Sequence, residues 1–123
     1  MKKNILVIDD DESMRASMTR ILERNGYEVS AASNGREGIK IFENIHIDLI
    51  LTDIYMPDMD GLGVLLKLKE IDSNVKIIAM SGGSKRLGQE FLNFTKAFGA
   101  HFAIKKPFSN DELLLSIKSL LTD

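Results

Sequence analysis

The sequence lacks cysteine altogether and has few residues of the kind that mark linkers. With no cysteine among 123 residues, a disulfide framework and thiolate chemistry are excluded. There are only two prolines, and no internal repeat or low-complexity tract, so nothing indicates a linker between domains. The formal net charge of −2 gives no general attraction to nucleic acid or to anionic membranes, which argues against both as direct partners.

Long hydrophobic runs are also absent. The apolar run at residues 5–8 is too short for a signal peptide and leads directly into acidic residues, and no later stretch is long enough to span a membrane. We therefore expect a cytoplasmic protein. The length fits a single domain, residues 1–123, that is large enough to bury a core.

Short apolar runs alternate with segments of helical periodicity. The runs at residues 5–8, 27–32, 48–51, 75–80 and 102–104 mostly lack strict alternation, which is typical of strands covered on both faces. Five strands alternating with five helices predict an α/β, doubly wound parallel sheet with right-handed crossovers. The predicted helices carry apolar residues at Met14, Met18, Ile21 and Leu22; Ile39 and Phe42; Leu62, Leu65, Leu66 and Leu68; Leu87, Phe91, Phe94 and Phe98; and Leu113, Ile117, Leu120 and Leu121.

Several polar residues and one glycine mark the ends of these helices. Gly26 is suited to the carboxyl end of the first helix, and Asp60 to the amino end of the third. Either Ser109 or Asn110 is expected to cap the last helix.

Acidic residues follow two of the predicted strands. Asp9, Asp10 and Asp11 come directly after the first strand, and Asp53 comes after the third. In a sheet of strand order 2-1-3-4-5 the first and third strands are neighbours, so these carboxylates would face each other at the carboxyl edge. Hard oxygen ligands without nearby histidine or cysteine favour Mg²⁺. One of the first three acids suffices as a helix cap, and a purely structural acid cluster remains the alternative.

Ser81 and Lys106 close the fourth and fifth strands. Each is ordinary when taken alone, since serine is common in turns and lysine in solvated loops. Beside Asp53, however, they would supply a hydrogen-bond donor and a positive charge to the oxygens of a phosphoryl group. The combination indicates that Asp53 is a nucleophile that carries a phosphoryl group.

Together these motifs resemble those of the receiver domain of two-component response regulators. The resemblance covers essentially all 123 residues and rests on residues 5–10, Arg15, 35–37, 53–61, 81–82, 99–100 and 106–108. It implies one receiver domain with a flavodoxin-like, five-stranded parallel sheet of order 2-1-3-4-5 and five helices.

The resemblance also implies roles for the acidic residues. Asp53 would be the phosphoacceptor, and Asp10 a direct Mg²⁺ ligand. Asp9 would act on the metal largely through water, and the main-chain carbonyl of Tyr55 would also bind it. Asp11 is expected to be a helix cap or a solvated acid.

Two further roles follow from the resemblance. Lys106 would pair with the phosphoryl oxygens, and the peptide bond between Lys106 and Pro107 would be cis. Lys105 competes for this role, but only Lys106 directly precedes the proline. The hydroxyl of Ser81 would respond to phosphorylation.

By resemblance, the chain is a switch whose only chemistry is self-phosphotransfer and autodephosphorylation. The donor would be a sensor histidine kinase or a histidine phosphotransfer protein that docks around Met14, Arg15, Met18 and Phe108. The signal would leave through the fourth helix, fifth strand and fifth helix, towards a downstream target protein, a fused output domain or a second copy in a phosphorylation-dependent dimer.

The position three residues before Lys106 departs from the family pattern. The usual aromatic residue three positions before Lys106 is replaced by Ala103, and the neighbouring Phe102 should face the other side of the strand. Either the switch works without an aromatic residue there, or the predicted register is wrong by one residue.

Three other functions are compatible with parts of the pattern. A phosphohydrolase of the haloacid dehalogenase type would need a second aspartate where Tyr55 stands. A flavin-binding module would not place three aspartates, residues 9–11, at its phosphate loop. A degenerate receiver that only docks would have no need for the complete set of acids together with Ser81 and Lys106.

Overall fold

The computed structural model describes residues 2–54, 61–81 and 99–121. This part of the chain contains five strands and four helices. The predicted fourth helix, with the stripe from Leu87 to Phe98, lies outside it, as does Asp60. The elements are β1 (Asn4–Ile8), α1 (Glu12–Arg24), β2 (Glu28–Ala32), α2 (Gly35–Asn44), β3 (Leu49–Asp53), α3 (Gly61–Ile71), β4 (Lys76–Ser81), β5 (Phe102–Lys105) and α4 (Asn110–Leu121).

All five strands form one parallel sheet in the order β2-β1-β3-β4-β5, which confirms the predicted α/β topology. The ends of the central strands are offset by only one residue: Ile8, the last residue of β1, pairs with Thr52, and Asp53, the last residue of β3, pairs with Met80. Because all strands run in the same direction, the segments that follow them meet at one edge of the sheet.

The core lies on both faces of the sheet. Alternate residues of β1 point in opposite directions, so Leu6 packs on the face covered by α2 and α3, and Val7 on the face covered by α1 and α4. Each large aliphatic side chain that is fully buried contributes about 1.5–3 kcal/mol to stability. The fully buried side chains include Ile5, Leu6, Ile8, Met18, Leu22, Leu49, Ile50, Leu51, Leu65, Leu68, Ile77 and Ile78.

The ends of the helices have specific hydrogen bonds. A carboxylate oxygen of Asp11 accepts the N–H of Met14 at 3.2 Å, which makes Asp11 the cap of α1. For α4 the cap is Ser109, whose Oγ accepts the N–H of Glu112 at 3.0 Å, and Asn110 is the first helical residue. Both results agree with the expectations from the sequence.

Helix α1 ends in a Schellman motif. The N–H of Gly26 bonds to the carbonyl of Glu23, and the N–H of Tyr27 to that of Leu22. Gly26 has a φ of +90°, in the region that glycine adopts without strain. The glycine therefore follows the cap residue, Asn25, by one position.

Two sets of contacts join elements at the amino edge of the sheet, which lies opposite the edge that carries Asp9 and Asp53. Asp48 precedes β3 and accepts the N–H of Asn4 at 2.8 Å, and its other oxygen lies 2.9 Å from Nε2 of His46. At the start of β4, Nζ of Lys76 donates to the carbonyl of Leu120 at the end of α4. None of the helices in the described ranges has the length and apolar character needed to cross a membrane.

Candidate functional site

Three predicted site residues meet at the carboxyl edge of the sheet. Asp9 directly follows β1, Asp53 is the last residue of β3, and Lys106 directly follows β5. Nζ of Lys106 lies 2.7 Å from Oδ2 of Asp9 and 3.2 Å from Oδ2 of Asp53. One ammonium group therefore bridges two carboxylates from different strand ends.

Burial makes this arrangement electrostatically strong. Asp9 is fully buried, Asp53 is 5% exposed, and the Lys106 side chain is 15% exposed. Burial alone would lower the pKa of Lys106, but the hydrogen bond to Asp9 and the negative charges of both acids outweigh it and raise that pKa above its ordinary value of 10.5. Lys106 therefore remains a fixed positive charge at neutral pH.

The neighbours of Lys106 distinguish it from the competing lysine. The peptide bond between Lys106 and Pro107 is cis. Lys105, the last residue of β5, is exposed. Of the two adjacent lysines, it is Lys106 that reaches the acidic residues.

Asp9 is held at each of its polar groups. Its N–H donates to the carbonyl of Ala32 at 3.1 Å, which continues the pairing of β1 with β2. Its Oδ1 accepts the N–H of Asp11 at 2.9 Å, and Lys106 binds Oδ2. Its carbonyl accepts a 2.7 Å hydrogen bond from Nη1 of Arg15. The acid is thus fixed in position by the first two turns of α1 as well as by the sheet.

Asp9, Asp10 and Asp53 form a group that fits a divalent cation. Each offers one carboxylate oxygen, and the three oxygens lie within 4.8 Å of one another. Oxygen donors of this kind suit Mg²⁺, which binds a few carboxylates and retains several waters. Asp10 is exposed, so a metal ion could reach this group from solvent. Asp11 caps α1, as expected.

Two of the predicted site residues are described less completely. Ser81 is the last residue of β4 and pairs with Lys105 of β5, so its backbone lies at the same edge of the sheet. Tyr55, predicted to bind the metal through its carbonyl, lies outside the described residues.

The pairing of β5 settles the register at Ala103, the position that differs from the family pattern. Ala103 pairs with Ala79 and packs on the face covered by α2 and α3, whereas Phe102 packs on the face of α1 and α4. The predicted register is therefore right. Alanine occupies the position expected for an aromatic residue, and the nearby aromatic ring lies on the other side of the sheet.

One residue of the expected docking surface was wrongly assigned. Met18 is only 1% exposed and belongs to the core between α1 and the sheet. Met14, one helical turn earlier, and Phe108 are only partly buried against the same core. Helical spacing places both methionines on the apolar stripe of α1, and the docking role of Met18 rested only on the family resemblance.

Sequence reasoning also missed the contact between Arg15 and the Asp9 carbonyl. A signal for it was present, because a basic residue near the amino end of a helix opposes the helix dipole. Such a residue is expected to have a specific partner.

The comparisons with known proteins agree with this geometry. The family model described as the response regulator receiver domain matches residues 5–118. The chain is similar to sporulation initiation phosphotransferase F of Bacillus subtilis, with 35% identity over 98% of this chain and 95% of that protein. It is also 39% identical to a probable transcriptional regulator, ycf27, of Cyanophora paradoxa, over 98% of this chain but 48% of the relative.

A solved structure is similar over its whole length. The response regulator TrrA of Thermotoga maritima, determined in complex with Mg²⁺ and BeF, has a TM-score of 0.83 and 32% identity, covering 97% of this chain and 99% of that one. The chain belongs to the response regulator receiver domains, CheY-like domains of two-component systems that are activated by phosphorylation.

Proposed function

We propose that residues 1–123 act as one receiver domain in which Asp53 accepts the phosphoryl group. The observation that carries this proposal is the position of Asp53 at the centre of the site. Its carboxylate lies 3.2 Å from the ammonium group of Lys106 and within 4.8 Å of carboxylate oxygens of Asp9 and Asp10. A nucleophile, a fixed cation and a set of metal-binding oxygens therefore share one edge of the sheet.

The proposed reaction is transfer from a phosphohistidine. A carboxylate oxygen of Asp53 attacks phosphorus, the bond from phosphorus to the imidazole nitrogen breaks, and the departing imidazole takes a proton from solvent. Mg²⁺ held by Asp9, Asp10 and Asp53 would supply positive charge to the phosphoryl oxygens. Hydrolysis of the acyl phosphate then releases inorganic phosphate and restores Asp53.

Lys106 has the second role in this proposal. It is already placed between Asp9 and Asp53, and its raised pKa keeps it charged. The ammonium group therefore needs only a small movement to pair with an oxygen on Asp53. The hydroxyl of Ser81, at the end of the adjacent strand, is proposed as a further donor.

Transmission of the signal must work without an aromatic residue at Ala103. A hydrogen bond from Ser81 to a charged oxygen contributes about 1.5–3 kcal/mol. Shifting a two-state equilibrium from 1:99 to 99:1 needs about 5.5 kcal/mol. We therefore propose that Lys106 and the segments beside β5 and α4 supply the remainder.

The proposed donor is a sensor histidine kinase or a histidine phosphotransfer protein. Met14 and Phe108 lie at the margin of the α1 and α4 face, and Arg15 contacts the Asp9 carbonyl. All three are partly accessible, which fits a docking surface near the acidic site. The chain spans about half the length of ycf27 but 95% of sporulation initiation phosphotransferase F. We therefore propose that the signal passes either to a separate target protein or to a fused output domain. The cytoplasmic location and a phosphorylation-dependent dimer stay predictions.

The test is intact-mass measurement after incubation with acetyl phosphate and Mg²⁺. The wild-type protein is expected to gain one phosphoryl group that is labile to hydroxylamine. The gain should disappear when Mg²⁺ is chelated and in Asp53→Asn. Asp11→Asn is the matched control, because asparagine preserves the cap of α1 and Asp11 is not a proposed ligand.

Two results would contradict the proposal. A phosphoryl group that persists in Asp53→Asn would place the acceptor elsewhere. Absence of both an adduct and phosphate release would indicate a domain that only docks, whereas steady phosphate release that disappears in Asp53→Asn would indicate rapid autodephosphorylation.

A further inference from the structure

Arg15 connects α1 to the acidic site through a main-chain atom. Its Nη1 donates to the carbonyl of Asp9 at 2.7 Å, and its own N–H bonds to the carbonyl of Asp11 at 2.9 Å. Side chains of helical residues lean towards the amino end of the helix. This direction brings the guanidinium group of Arg15 from the second turn of α1 back to the end of β1.

The position of Arg15 is otherwise unfavourable for a cation. It lies near the amino end of α1, where the helix dipole repels positive charge. Glu12 in the first turn and Arg24 in the last follow the favourable pattern, but Arg15 does not. Its specific contact with Asp9 offers a reason for a cation at this position.

The choice of atom on Asp9 is informative. A second cation on the carboxylate, in addition to Lys106, would increase the competition with a metal ion for the same oxygens. Arg15 instead binds the main-chain carbonyl of Asp9. Because Asp9 is fully buried, this carbonyl has no access to solvent and needs a partner within the protein. The contact thus fixes the backbone of Asp9 without adding a partner to its carboxylate, where Oδ1 accepts the Asp11 N–H and Oδ2 accepts a hydrogen bond from Lys106.

We infer that Arg15 is a positioning residue, which holds the Asp9 backbone so that the carboxylates of Asp9 and Asp10 face Asp53. This inference rests on the proposed function, because it concerns the Mg²⁺ site of the phosphoacceptor. Residues that orient a metal ligand typically change the metal affinity by about 10–100-fold when they are replaced. Arginine is suited to the role, because its rigid planar group directs a hydrogen bond more strictly than lysine does.

The experiment is calorimetric titration with Mg²⁺ at fixed ionic strength. Arg15→Met is expected to weaken Mg²⁺ binding by about tenfold or more, and Arg15→Lys by a smaller factor. Arg20→Met, on an exposed position of the same helix, is the control and should bind like the wild type. Amide chemical shifts supply a second readout: the Asp11 N–H, which bonds to Asp9, should shift in Arg15→Met but not in Arg20→Met.

The sign of the change in affinity decides between positioning and simple charge repulsion. If Arg15 acted only by its charge, Arg15→Met would bind Mg²⁺ more tightly and Arg15→Lys would match the wild type, and either result would overturn the inference. Where Arg15→Met does not fold, judged by circular dichroism, Arg15→Lys and its Asp11 shift decide alone. Failure of the wild type to bind Mg²⁺ would count instead against the proposed metal site.

Discussion

Lys106 donates a 2.7 Å hydrogen bond to Asp9, although 97 positions separate the two residues along the chain. The contact exists because β1 and β5 are parallel and release the chain at the same edge of the sheet. Lys106 thereby neutralises part of the negative charge of the two buried acids, Asp9 and Asp53.

Replacing Lys106 should reveal this role in the absence of phosphorylation. Lys106→Met leaves the buried Asp9 and Asp53 without their bridging cation, which should lower the free energy of unfolding by about 2–4 kcal/mol in metal-free buffer. Added Mg²⁺ should raise the melting temperature of the variant more than that of the wild type, because the metal then supplies the missing charge. Denaturant unfolding with and without Mg²⁺ measures both effects.

Lys105→Met is the matched control for this experiment. Lys105 is adjacent in sequence but exposed, so its replacement should change stability by less than about 0.5 kcal/mol. An equal effect of the two substitutions would show that the net charge of the domain matters rather than the bridge from Lys106.

The acidic segment after β1 allows a second prediction. Asp10→Asn should weaken Mg²⁺ binding at least about tenfold without loss of stability, because Asp10 is exposed and its charge repels those of Asp9 and Asp53. Asp11→Asn should retain both Mg²⁺ binding and the cap of α1. Titration calorimetry on the two variants tests the assignment, and a larger loss of affinity in Asp11→Asn would reverse it.

Asp48 should make the amino edge of the sheet sensitive to acid. Burial tends to raise the pKa of Asp48, but hydrogen bonds from the Asn4 N–H and from His46, with the nearby charges of His46 and Lys3, hold it below its ordinary value of 3.8. Asp48→Asn should therefore cost about 1 kcal/mol of unfolding free energy at neutral pH.

The pH dependence of this difference has a definite sign. Because the folded carboxyl group binds a proton less readily than the unfolded one, its contribution is complete above about pH 3.8 and is lost as the pH falls through the lower folded value. The stabilities of wild type and Asp48→Asn should accordingly converge in acid. Glu43→Gln, at an exposed site on α2, is the comparison, and a gap that widened as the pH fell below about 3.8 would contradict the assignment.

Close packing between α2 and β1 gives a prediction about the fold. A Cβ atom built on Gly38 would lie 2.7 Å from Cγ1 of Ile8 and closer still to Cδ1. Alanine usually stabilises a helix relative to glycine, but here Gly38→Ala should destabilise the protein by about 1–3 kcal/mol. The double variant with Ile8→Val should recover part of the loss, which a thermodynamic cycle of unfolding energies would detect as coupling.

Topology is the part of this structure that the sequence predicted best. Apolar runs and helical spacing predicted the parallel α/β sheet, and the family resemblance implied the strand order 2-1-3-4-5 that the structure shows. This order brings Asp9, Asp53 and Lys106 together. The predicted end of β3, at residue 51, was less accurate. Thr52 and Asp53 are polar, yet they belong to the strand and are buried. Periodicity of apolar residues does not detect polar residues that continue a ladder.

Contacts made by long side chains were not predictable in the same way. The direction of Arg15 depends on a rotamer and on a buried carbonyl that local spacing does not reveal. The different burial of Met18 and Met14, which share one apolar stripe, likewise depends on how α1 is rotated against the sheet. These features result from tertiary packing, which overrides preferences along the helix.

The bond between Lys76 and the Leu120 carbonyl has a mechanical consequence for α4. It fastens the carboxyl end of this helix to the start of β4, whereas the amino end begins at Asn110, four residues after Lys106. Movement of Lys106 towards a phosphoryl group on Asp53 would thus act on the amino end of α4, while the hydrogen bond from Lys76 holds the carboxyl end. The helix would tilt as a lever about Leu120, and the displacement would be greatest near Asn110.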